Sequence, residues 1–160
     1  THELGTSPEQ GSFALTVFFS IGIFMTYIGG LLGDKYGPIK IIRLSLLIWL
    51  PSMFLLTQVP EFSVTIMMPL AYLILLMIGA AKAISYSPVI VLGQTYLAKS
   101  IGFASGITLG VSQTIGGIIA PVVGNLADTY SLPAAMMTLV PFLIVGLVAS
   151  LLLKDPKELQ

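Results

Sequence analysis

The 160-residue sequence has no cysteine, and its one histidine, His2, stands at the extreme end of the chain. The missing cysteines exclude disulfides, thiolate metal sites and thiol nucleophiles, and one terminal histidine leaves no basis for imidazole catalysis or a histidine metal site. Charge is scarce as well: 9% of residues are charged, seven basic against seven acidic. A chain with no net charge has none of the basic surface by which nucleic acid is gripped. No Asp or Glu falls inside any of the long apolar segments. No cofactor is implied, and an enzyme is not expected. What the sequence does have is apolar bulk, 56% of residues with a mean hydropathy of +0.98, more than a soluble domain of this length can hide. The chain opens on Thr1 and shows no basic stretch, short apolar core and cleavage site, so it is expected to carry no signal peptide and to be a piece of something longer.

Apolar stretches run over 12–33, 39–59, 62–97, 101–127 and 133–153, separated by short polar breaks. A helix needs roughly 20 residues to cross about 30 Å of hydrocarbon, so four of these are single spans. The third, with roughly 36 residues and a helical length of about 54 Å, could hold one long tilted span or two. Basic residues decide between them, because cytoplasmic loops collect Lys and Arg. With one span, Lys35, Lys40, Arg43, Lys99, Lys154 and Lys157 all fall on one side; with two, the basic residues divide almost evenly. One span is therefore expected, giving an all-α helical bundle of about five transmembrane helices. The N-terminus is then outside with Glu3, Glu9, Glu61 and Asp128, and the C-terminus is cytoplasmic. The membrane is expected to be the plasma (inner) membrane.

The second and fifth segments are apolar all the way round and are expected at the periphery, facing lipid. The first carries Gly22, Thr26, Gly30 and Gly33 on one stripe and Thr16, Ser20 and Tyr27 on another. The fourth has Gly102, Gly106 and Gly110 at four-residue spacing, then Ser112, Gly116, Gly117, Pro121 and Gly124. Small residues let helices approach closely and polar ones avoid lipid, so the fourth segment is expected to touch other helices on more than one side. Pro51, Pro69, Pro88, Pro121 and Pro141 lie inside spans and are candidates for bends.

The most specific local pattern is Gly-Leu-Leu-Gly-Asp-Lys-Tyr-Gly-Pro-Ile-Lys, from Gly30 to Lys40, between the first two segments. Gly37 can close one helix in a left-handed conformation, and Pro38 can open the next, where its missing N–H costs nothing. Asp34 can sit against the positive N-terminal end of another helix, while Lys35 and Lys40 hold the turn in the cytoplasm. Through Gly30, Leu32, Gly33, Asp34, Lys35 and Gly37 this loop resembles the signature of the major facilitator superfamily, which follows the second helix of each half. Pro38 and Ile39 replace the two trailing basic residues of that signature, and Lys40 and Arg43 come slightly later. The run from Gln94 to Asp128, with Lys99, Gly102, Ser105-Gly106, Gly116-Gly117 and Leu126-Ala127-Asp128, is similar to the eleventh-helix region of the fosmidomycin resistance group of drug efflux transporters.

The resemblance implies that residues 1–160 form part of a C-terminal transporter half with a partial superfamily fold. The N-terminal half of the same transporter would be missing, and the first, third and fourth segments would line a central cavity. It implies efflux of drugs or metabolites, with antibiotic resistance as a consequence. Partners are then the lipid bilayer, the missing half, a small-molecule substrate and a proton as candidate coupling ion, whose carboxylate would lie in that half.

Lys82 is the one charge deep inside a span and a candidate functional residue on that ground. It shares a helix face with Ser85 and Tyr86, and with Gln94 and Gln113 it could bind an anionic or polar substrate. Tyr27 joins these as a candidate lining residue. Alternatively Lys82 snorkels, or pairs with a group outside this chain, and Gln113 serves as interhelical hydrogen-bonding glue. Uptake of an organic anion or sugar-like metabolite is the alternative transport reading. A membrane scaffold subunit is the alternative of another class, and it leaves the Gly30–Lys40 pattern without a purpose.

Overall fold

A computed structural model describes residues 8–58 and 64–154. His2, Glu3, Glu61 and Lys157, which entered the reading of the sequence, lie outside the described residues. The described residues form α1 (Pro8–Tyr36), α2 (Pro38–Gln58), α3 (Val64–Tyr96), a 3-10 turn (Ala98–Ser100), α4 (Ile101–Thr129), α5 (Leu132–Met137) and α6 (Val140–Leu152). They contain no strand. Five spans are long and apolar enough to cross a membrane: Leu15–Tyr36, Pro38–Gln58, Pro69–Tyr96, Ala98–Thr129 and Leu132–Leu152. The chain is an all-α membrane protein.

The long third segment is one uninterrupted helix of 33 residues, with Pro69 and Pro88 inside it. Proline breaks the ladder only in the last span. There Thr138 and Leu139 keep right-handed backbone angles, but their N–H groups donate three residues back, to Ala135 O at 3.2 Å and Met136 O at 3.0 Å. Pro141 has no N–H to offer Met137 O, so the four-residue ladder lapses until Leu143 donates to Leu139 O. The expected fifth helix is accordingly two pieces, α5 and α6.

The core lies between α2 and α3. Met53 of α2 packs with Ala71, Ile74 and Ile78 of α3, and Trp49, Met136 and Leu143 close around them. Nearer the Gly37 turn, Ile39 and Ile42 meet Leu92. The second segment, expected at the periphery, packs one face into this core and leaves the other exposed. Its outer face does show Leu44, Leu47, Phe54 and Leu55, but Ile39, Ile41, Ile42, Ser45, Ser52, Met53 and Thr57 are buried. Lipid and protein interior are equally apolar, so a uniformly apolar helix serves in either place. Ser45, Ser52 and Thr57 survive burial because each donates to a carbonyl of its own helix, Ile42 O, Ile48 O and Phe54 O, at 2.7–2.8 Å.

The fourth segment departs further from expectation. A Cβ added at Gly102, Gly106, Gly110, Gly116, Gly117 or Gly124 would meet nothing within 4 Å. In α4 only Ala104 is buried. Among the described residues its glycine-rich faces touch no other helix, and the helix is held by α3 and by α5.

Candidate functional site

At the turn between α1 and α2, Gly37 takes φ 95° and donates its N–H to Gly33 O at 2.9 Å, and Pro38 starts the next helix. The left-handed angle is open to glycine without the Cβ clash other residues suffer. The other glycines of the pattern serve packing. A Cβ at Gly29 would stand 2.1 Å from Ile84 O, so α1 and α3 touch backbone to backbone there. At Gly33 it would meet Pro88 Cγ at 3.2 Å, and at Gly30 Ser87 Oγ at 3.2 Å.

Asp34, Lys35 and Lys40 are exposed, and Lys35 Nζ lies 5.1 Å from the Tyr36 ring centroid. Among the described residues no hydrogen bond ties Asp34 to the N-terminus of another helix, so that expected contact is not made through a hydrogen bond within this chain.

Arg43 does what the reading of the sequence did not foresee. Its Nε and Nη2 donate to Ser150 O at 3.1 and 2.8 Å, and Nη2 also reaches Leu151 O and Leu153 O at 3.4 Å. Beside it, Tyr96 Oη donates to Lys154 O at 2.7 Å. The last carbonyls of α6 have no intrahelical donors, and a cation there also faces the negative end of the helix dipole. The start of α2, the end of α3 and the end of α6 thus meet at one end of the bundle. One sequence signal pointed there, an arginine one turn inside an apolar helix, where it must find acceptors.

Midway along the bundle a cavity of about 920 Å³ separates α4 from α1, α2, α3, α5 and α6. Trp49, Met53, Ile78, Ile115, Leu139 and Phe142 are among its walls, and Lys82 is the one charged residue that lines it. Ser112 supplies a hydroxyl, which donates to Thr108 O at 2.5 Å. Among the described residues the Lys82 ammonium has no hydrogen bond or ion pair, while its backbone carbonyl accepts from Ser85 Oγ at 2.9 Å. The other candidate lining residues lie elsewhere. Tyr27 and Tyr86 are 69% and 47% exposed, Gln113 is exposed on α4, and Gln94 Nε2 donates to Ser105 Oγ at 2.8 Å, joining α3 to α4. No group of three or more His, Asp or Glu side chains that could hold a metal ion occurs among the described residues.

Five apolar spans, a charged glycine–proline turn and a mid-bundle cavity define a multi-pass integral membrane protein. The family model of the Major Facilitator Superfamily matches residues 1–160, and the chain belongs to that superfamily. It is 32% identical over 151 residues, 94% of its length, to the uncharacterized MFS-type transporter YfnC of Bacillus subtilis (strain 168). The chain spans 35% of that relative's length. No solved structure matches significantly.

Proposed function

We propose that the chain is part of a C-terminal half of a secondary transporter that moves small molecules by alternating access, two helical bundles rocking about a site near the mid-membrane. The observation that carries this reading is the bareness of α4. Among the described residues its glycine faces meet nothing, while α2 and α3 are well packed. A helix rich in small residues is suited to close approach by another helix, and the missing N-terminal half is the partner this reading supplies. The Gly30–Lys40 turn, with Asp34, Lys35, Gly37 and Lys40, is the cytoplasmic clamp of the bundle. The basic end lies in the cytoplasm by the positive-inside rule, which puts the N-terminal end of α1 outside, in the plasma membrane. The protein acts as a transporter and not as an enzyme.

Drug or metabolite efflux, as in the fosmidomycin resistance group, is the preferred direction, with a proton as coupling ion. Everted membrane vesicles holding the complete protein are expected to accumulate labelled fosmidomycin or a related drug on energisation, and a protonophore is expected to abolish it. Well-inserted protein that accumulates none of a broad drug panel contradicts efflux. Uptake of an organic anion is the second reading, favoured by Lys82 standing without a partner in a span. Saturable inward flux of a labelled carboxylate into intact cells would favour it.

A further inference from the structure

The cavity beside Lys82 constrains ligand chemistry more closely than the family does. Its volume, about 920 Å³, suits a drug-sized molecule. Its walls are almost wholly apolar, so most of the binding free energy must come from burying hydrocarbon. Hydrogen-bonding capacity is small. The Ser112 hydroxyl uses its proton on Thr108 O, which leaves it only as an acceptor. A sugar-like polyol would bring many hydroxyls into this space and find partners for few of them, and each unpaired hydroxyl disfavours binding.

Charge narrows the class further. Among the described residues Lys82 is the only charged one on the lining, and no carboxylate of the described spans faces it there. A cation in an apolar setting is stabilised by one anionic partner, and a second negative charge on the ligand would go unmatched. We infer that the cavity binds an apolar organic monoanion of drug size, with one carboxylate or sulfonate against Lys82 and a hydrocarbon body among Trp49, Met53, Ile115 and Phe142. This deepens the transport reading and rests on it only for purpose, since binding and flux are measured separately.

Two matched probes test it, 8-anilinonaphthalene-1-sulfonate and its uncharged parent N-phenyl-1-naphthylamine. Each is titrated into the complete protein in nanodiscs of neutral lipid. The readout is energy transfer from Trp49, taken as the difference from a Trp49→Phe variant. Saturable binding of the sulfonate is expected, and Lys82→Met should weaken it at least about tenfold while changing the uncharged probe less than about twofold. Lys82→Arg should keep sulfonate affinity within about threefold, because the charge remains. Gly116 lines the cavity with open space around an added Cβ, so Gly116→Leu should fill part of it and weaken both probes. The inference is overturned if wild-type protein shows no saturable sulfonate binding, if Lys82→Met binds it as wild type does, or if that variant loses both probes equally. Binding without flux of any substrate would leave this site standing and sink the transport reading; flux without such binding would do the reverse.

Discussion

At the scale of single residues, Gly37, Gly29 and Arg43 each hold helices of the bundle together, and each fails differently when changed. Gly37 sits at φ 95°, where an alanine costs about 1 kcal/mol. A Gly37→Ala variant of the complete protein should therefore melt a few degrees lower and remain folded. Gly29 is less forgiving, because the clash there is with the backbone of α3. Gly29→Leu is expected to force α1 and α3 apart at a cost of about 1–3 kcal/mol or more, read as lost monodispersity or a large drop in melting temperature. Arg43→Ala strips α6 of its terminal donors and should cost about 1–2 kcal/mol, with Arg43→Lys between it and wild type because lysine cannot reach several carbonyls from one planar fork. Asp34→Asn tests the clamp. It should lower transport in a variant that expresses and melts normally, and unchanged transport would remove the functional role assigned to the turn.

At the scale of elements, α1 and α4 are both glycine-rich, yet only α1 uses its glycines within this chain. The contrast predicts opposite outcomes for the same substitution. A Cβ at Gly106 meets nothing within 4 Å among the described residues, so Gly106→Leu should leave the melting temperature of the five-span unit unchanged yet impair flux in the complete protein. A parallel melt and flux measurement separates it from Gly29→Leu, which should damage both. Much at this scale was legible in the sequence. Spans follow from length and hydropathy, the unbroken α3 from the lopsided placement of Lys and Arg, and the Gly37–Pro38 turn from two residues with narrow conformational roles. The burial of α2 was not legible, since a helix apolar on every side carries no mark of whether lipid or protein surrounds it. Nor was the α5–α6 break, because Pro51, Pro69, Pro88 and Pro121 sit inside continuous helices while Pro141 marks the interruption.

At the scale of the whole molecule, one end is tied and the middle is open. Arg43 reaches carbonyls more than a hundred positions away in the chain, and Gln94 is joined to Ser105 across the turn before α4. Such contacts depend on how helices are arranged and leave no periodicity in the sequence. For the same reason the sequence pointed to Lys82 but not to its neighbours, since Trp49 and Phe142 come to the cavity from distant segments. A bundle fixed at its basic end and parted beside α4 fits a half-transporter whose open side works against a second half.

That arrangement is tested most directly by cysteine accessibility, for which this chain offers a background without native cysteines. Single cysteines are placed in the complete protein at Gly110 and Gln113 on the open side of α4, and at Leu47 and Phe54 on the outer face of α2. A membrane-impermeant maleimide should label the α4 positions, at rates that change when substrate is added, if the bare face of α4 works against a second half as proposed. The α2 positions should stay unlabelled, since a lipid-facing thiol meets neither water nor the charged reagent. Labelling of α2 with none on α4, or α4 rates indifferent to every transported substrate, would contradict the two-bundle account.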